Sequence, residues 1–282
     1  MQWSHNYTIY DQFDKKELFL KKIILFFLFC SYVFADVYYA KLEPYESYNI
    51  KSDVAGKVVF SDLAKEGKWV KKALVVKIDD KTDKEDLKTS IKKLSDLHNM
   101  EKLILQNIKA MEKTYQIKKR NYDRIKNLTT KSNFEKDNQL ITVIAANASL
   151  INAKQSLINL QNSIKDIEYK IFVLKQTIAK KNIIVKNRYI YKLNVKKGDY
   201  VAPGVLILSA MDISRAKAVV YLSYEDRENL DKKIIYINGK KTSLKFDKVW
   251  NVADSINISS YRAELYLPKP REFSKVIKIE LK

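Results

Sequence analysis

The stretch Glu66–Asp80, EGKWVKKALVVKIDD, decides the fold. A glycine, an aromatic residue two places on, valine and then a short apolar run ending in acid reads as a tight turn feeding one β-strand. So small a piece buries too little surface to be stable alone. Its counterpart lies far downstream. Gly198-Asp199-Tyr200-Val201 repeats the pattern Gly67-Lys68-Trp69-Val70. Val75 and Leu206 stand at the same distance after the two glycines, and Gly56 and Asn187 at the same distance before them. Glycine and asparagine are the residue types that accept a positive φ. Segments 48–81 and 183–211 therefore read as two halves of one split β module, with structural turns at Gly56, Gly67, Asn187 and Gly198.

Between the halves the composition changes. No glycine or proline occurs from Lys68 to Lys197, so this stretch is helical or disordered, and its periodicity decides. Stepping back alternately by four and three from Ile178 meets Leu174, Ile171, Ile167, Ile164, Leu160, Leu157, Ala153, Leu150, Ala146 and Val143, all apolar. A period of about 3.5 residues held this long is a coiled-coil seam. The same walk from Leu87 gives Ser90, Leu94, Leu97, Glu101, Ile104, Ile108, Met111, Tyr115, Lys118, Tyr122 and Ile125, a second and less perfect seam. Ser132-Asn133-Phe134-Glu135 is a capping box that starts the second helix, and Thr82-Asp83-Lys84-Glu85 reads as another that starts the first. Lys180-Lys181-Asn182 suits a helix end, with Asn182 as a left-handed cap. The short break between the helices favours one antiparallel hairpin over pairing between chains, spanning 82–182.

Around this core the chain is strand-like. Residues 36–47, rich in Tyr and Val, supply a first strand. Residues 212–282 carry several short strands with Asn238-Gly239 as a hairpin turn, which suggests a small barrel or sandwich joined by the strand near Val37–Lys41. The fold class is α+β: a long antiparallel helical hairpin inserted in a split β module, followed by a small β-barrel.

The N-terminus reads as an address. Lys21-Lys22, the apolar run IILFFLFCSYVFA and Asp36 form a secretory signal with cleavage expected after Ala35; an uncut anchor is the alternative. Phe29 before Cys30 is too bulky for a lipoprotein site, and residues 1–19 read as an over-long start, so 1–35 is extension plus signal. Cleavage would remove the only cysteine and with it thiol chemistry. The net charge of +20 admits nucleic-acid binding by a basic coiled coil, but export opposes it. His98 is the one histidine after Ala35, so no catalytic triad or histidine metal cluster can be built. Asp79-Asp80 read as solvated turn residues. No enzyme activity, metal or cofactor is expected.

The order signal, strand, half-module, hairpin, half-module, barrel resembles the periplasmic adaptors, or membrane fusion proteins, of the HlyD-like superfamily in tripartite efflux pumps. The resemblance covers about residues 36–282 and rests on order and spacing more than on any single motif. It implies lipoyl-like half-modules; the hairpin occupies the turn where a lipoyl carrier would present its lysine. It implies a periplasmic protein held at the inner membrane by its pump, packing side by side in about six copies. The partners would be an inner-membrane transporter, of resistance-nodulation-division (RND) type or alternatively of ABC or type I secretion type, and an outer-membrane TolC-like channel. The chain resembles the short form that lacks a membrane-proximal domain. The family's tip pattern Arg-x3-Leu-x6-Ser matches Arg124 and Leu128; Ser132 arrives early and Glu135 holds the strict position. These residues are expected to dock the channel, with Arg124 and Leu128 on one helical face.

Overall fold

The computed structural model describes residues 36–257 and 259–282; the expected signal and extension, 1–35, lie outside them. The described chain falls into two compact units, residues 48–211 and residues 36–47 with 212–282. Strands β1 (Asp36–Lys51) and β6 (Leu206–Leu222) each pass from one unit into the other.

The unit 48–211 holds both half-modules and the hairpin. Strand β2 (Gly56–Ser61) leads through a single 3-10 turn to β3 (Lys68–Ile78). After the hairpin come β4 (Asn182–Leu193), β5 (Tyr200–Val201) and the start of β6. The halves interlock: β3 pairs antiparallel with β4 from Lys68↔Ile190 to Lys77↔Asn182, and β2 pairs with β5 at Gly56↔Val201. Two hydrogen bonds express the internal symmetry. Gly67 N–H donates to Ile190 O at 2.9 Å, and Gly198 N–H donates to Val58 O at 2.8 Å. Each turn is thus tied to the strand of the other half. Val58, Val75, Val76 and Ile78 from one half meet Ile190, Val201, Ile207 and Leu208 from the other in one core. Burying each such side chain contributes about 2 kcal/mol, which neither half could gain alone.

Two positions of the sequence correspondence shift by one residue. Asp62 N–H donates to Val75 O and Asn194 N–H to Ile207 O, so Val75 corresponds to Ile207, and not to Leu206. Likewise Val70 pairs with Arg188 as Val201 pairs with Gly56, so the counterpart of Gly56 is Arg188, one residue after Asn187. The cause is irregular register: bulges interrupt β2–β3 between Val58 and Phe60, β3–β4 between Leu74 and Val76, and β4–β6 between Ile190 and Lys192.

Helices α1 (Lys81–Ile125) and α2 (Asn133–Lys180) form the antiparallel hairpin. At 45 and 48 residues, each is about 70 Å long. Every residue of both seams is buried or half-buried, including Ser90, Glu101 and Lys118. The register is fixed by Lys154 Nζ to Glu112 Oε1 at 3.0 Å and Gln161 Nε2 to Glu101 Oε1 at 3.0 Å.

The base of the hairpin departs from expectation. Helix α1 begins at Lys81 after Asp80, and Thr82 makes no cap. Asp80 is buried, not solvated. Its carboxylate faces Lys84 at 2.9 Å, Lys77 at 3.4 Å and Asn182 Nδ2 at 3.5 Å. Burial alone would push its pKa up; the lysines outweigh this and hold it below the usual range. Asn182 is no left-handed cap, because α2 ends in ordinary helical geometry at Lys181 and Asn182 opens β4. Its side chain instead donates to Ile178 O at 2.7 Å, and Lys181 pairs with Asp83 across the two helices.

In the second unit, β1 pairs with β11 (Val276–Leu281), β11 with β7 (Ile235–Ile237), and β7 with β8 (Lys240–Lys241). Strand β6 pairs with β10 (Tyr261–Pro268), and β10 with β9 (Lys248–Val249). The order is β9-β10-β6-β1-β11-β7-β8. Strands β8 and β9 do not pair, so the expected barrel is an open sheet curled over Ala218, Leu222, Leu265, Ile279 and their neighbours. Asn238 (φ 49°) and Gly239 (φ 79°) make the hairpin turn. A short helix, α3 (Tyr224–Glu228), is pinned through Asp226. This fully buried carboxylate pairs with Lys233 and accepts from Tyr38 Oη.

Candidate functional site

Among the described residues no group of three or more His, Cys, Asp or Glu side chains could hold a metal ion, and no helix is long and apolar enough to cross a membrane. The informative surfaces are the tip and flanks of the hairpin.

At the tip, Arg124 lies exposed in the last turn of α1, which closes at Ile125 with Lys126 as C-cap. Leu128 lies beyond the helix, exposed, and its N–H donates to Ile125 O at 3.0 Å. Arg124 and Leu128 therefore do not share a helical face as their spacing suggested. The helix stops early because Thr129-Thr130 are poor helix formers and the next cap takes over. Ser132 is that cap: its Oγ accepts from Glu135 N at 3.2 Å, and Glu135 Oε2 accepts from Ser132 N at 3.0 Å. Glu135 also pairs with Lys131 at 3.0 Å. The Ser132 backbone bond, then Lys131, hold the Glu135 carboxyl below its usual range. Ser132 is thereby engaged in starting α2, and the exposed apolar groups of the tip are Leu128 and Phe134, the latter 75% exposed. Phe134 was missed as a site candidate because it reads as one more residue inside the capping box.

The turn residues lie away from the tip, in the split module. Gly67 (φ 73°) and Gly198 (φ 104°) are left-handed, as is Asn187 (φ 49°). At Gly56 the constraint is space, since a Cβ there would stand 2.6 Å from Ile78 Cγ2.

The flanks were not foreseen. On α2, outside the seam, Ile141, Ile144, Ala148, Ile151, Gln155 and Ile158 are all exposed and follow the same three-four spacing. On α1, Met100, Leu103, Asn107, Ala110, Thr114 and Ile117 do likewise. Neither stripe contains a charge. With Glu112 level with Lys154 and Glu101 with Gln161, the two stripes overlap in height, Asn107 to Ile117 of one standing level with Ala148 to Ile158 of the other. The signal in the sequence was absence: from Asn138 to Ile164 the only charged residue is Lys154.

The sequence matches no family model and no curated protein. Solved structures do share its fold. MacA from Actinobacillus actinomycetemcomitans superposes with a TM-score of 0.61 at 20% identity, over 88% of this chain and 78% of that one. The membrane fusion protein Spr0693 from Streptococcus pneumoniae R6 gives 0.57 at 11% identity, over 88% and 98%. A MacA-MexA chimeric protein carrying the Pseudomonas aeruginosa MexA α-hairpin domain gives 0.51 at 17%, over 88% and 81%.

Proposed function

We propose that this chain, which has the fold of the membrane fusion proteins, is a non-enzymatic periplasmic adaptor of an efflux system. Hairpins stand side by side, the tip meets an outer-membrane TolC-like channel, and the unit 36–47 with 212–282 meets an inner-membrane transporter of RND type. The observation that carries this reading is the pair of uncharged stripes that overlap in height on opposite helices. A long exposed helix in water normally alternates charges around its outer face. Two neutral stripes suit contact with further copies. Over the shared height the α2 stripe of one copy meets the α1 stripe of the next without sliding, a head-to-tail contact that closes into a ring. Six copies fit the resemblance drawn from the sequence.

At the tip, Leu128 and Phe134 supply apolar surface for a groove, and the Arg124 guanidinium offers a planar fork to carboxylates or carbonyls. Ser132 serves the tip by starting α2. Arg124→Asp, Leu128→Asp and Phe134→Asp are each expected to abolish efflux while leaving expression and helicity intact. Lys109→Asp, exposed and outside both stripes, should export normally. Drug accumulation and crosslinking to the channel in cells read the outcome; normal efflux in all three tip variants would remove the docking assignment.

A further inference from the structure

The seam of the hairpin has a gap. Toward the tip, Lys118 of α1 stands opposite Ala146 of α2, whose seam positions mostly hold Leu or Ile. The mismatch leaves an open groove of about 270 Å³ between the helices, lined by Met111, Thr114, Lys118, Ala145, Ala146 and Ser149. Its hydroxyls are engaged within their own helices: Thr114 Oγ1 donates to Ala110 O and Ser149 Oγ to Ala145 O, the first at 3.0 Å and the second at 3.0 Å. Lys118 is half-buried at the wall, and no carboxylate among the described residues pairs with it. A gap forfeits the contacts that a large apolar side chain would make there, so the groove does not serve folding, and a local rule broken without gain in stability points to function.

The place of the groove on the hairpin says what fits it. It opens on the flank that carries the α1 stripe, since Thr114 belongs to both. Counted from the Glu112–Lys154 pair, it stands level with Ala148 and Ile151, in the middle of the α2 stripe. Long side chains on a helix lean toward its N-terminus. Ile151 of a copy standing alongside at the same height therefore leans over its own Ala148 and across the groove. By the same rule Lys118 runs the other way, toward the level of Gln155. Gln155 Nε2 donates to Asn159 Oδ1 at 3.3 Å, which leaves its carbonyl oxygen to accept from elsewhere.

We infer that the groove is a socket for a second copy of this chain: Ile151 of the next copy fills it, and Lys118 Nζ donates to the Gln155 Oε1 of that copy. The inference rests on the side-by-side packing proposed above and adds the side chains that fix its register. It also gives a reason for a lysine in the seam, whose ammonium finds an acceptor only when the next hairpin is in place.

The reporter for the test is Asn107→Cys with Ile158→Cys in the Cys30→Ser chain, two exposed stripe residues at one height outside the groove, whose oxidation in the periplasm yields disulfide-linked multimers. Ala145→Leu fills the groove and should cut these multimers by about tenfold with unchanged circular dichroism. Lys118→Leu should cut them likewise while raising the thermal unfolding temperature, a combination that a purely structural lysine would not give. Ala145→Leu with Ile151→Ala sets a shortened knob against a filled groove and should restore them. Undiminished multimers in both Ala145→Leu and Lys118→Leu, or no recovery with Ile151→Ala, would overturn the socket and leave the side-by-side packing in place. A reporter that yields no multimers in the absence of these changes would contradict the packing itself, and the socket with it.

Discussion

The two helices of the hairpin share one seam but differ in what they bring to it. Helix α2 offers only apolar residues from Val143 to Ile178, with Leu150, Leu160, Ile164 and Ile171 fully covered. Helix α1 interrupts its side with Ser90, Glu101 and Lys118, and only Ser90 and Ile108 are fully covered. Outside the seam the contrast grows: α2 is nearly free of charge at mid-height, whereas α1 at the same height carries Lys102, Lys109, Lys113, Lys119 and Arg120. A long hairpin therefore does not need two apolar helices. One supplies the core, and the other covers it with the aliphatic stems of long charged side chains while their heads stay wet. The cost falls on α2, whose outer face water serves poorly.

Substitutions in the seam sharpen this contrast most. Leu150→Ala should destabilise the hairpin by about 3 kcal/mol, a cavity cost in the packed cluster with Ile108 and Ala153. Lys118→Leu should do the reverse and stabilise it by about 1 kcal/mol, because α1 then gains an apolar seam residue where a stem now covers. Thermal and urea unfolding of both variants measure this; equal losses would mean that the helices contribute alike. Next in size is the start of each helix. Ser132→Ala should cost about 1 kcal/mol at the tip, seen as faster amide exchange over the first turn of α2. The smallest effect is with pH. Glu135 at the tip and Asp80 at the base both have depressed pKa values. Their contributions are complete above the unfolded carboxylate pKa and fade as pH falls through the lower folded values. Amide exchange at both helix starts should rise under acid conditions below the ordinary carboxylate range; exchange that rises only near neutrality would contradict the assignment.

How much was legible follows from the length of each signal. The seams repeat over dozens of residues, so their reading survived the polar interruptions in α1. The split module was legible because Gly67 and Gly198 open the same short pattern. Its residue-level correspondence slipped by one because three bulges change register, and no residue type marks them. The start of α1 was misplaced because Asp80 is fixed by Lys84 and by Asn182, a partner far along the chain that local capping rules do not see. Closure of the barrel was not legible because β8 and β9 are each two residues long, too short to carry a pattern. The flanks were missed because a search for apolar periodicity passes over Asn107, Thr114 and Gln155, which are polar yet uncharged.

The most direct measurement uses those flanks. In a Cys30→Ser background the chain has no other cysteine, and Thr114 and Ile151 lie at one height on opposite helices, both exposed. Thr114→Cys with Ile151→Cys, oxidised in the periplasm, should yield a ladder of disulfide-linked multimers, while either single variant stays monomeric because the contact joins unlike flanks. Dimers from Ile151→Cys alone, or a double variant that remains monomeric, would contradict the ring of side-by-side hairpins.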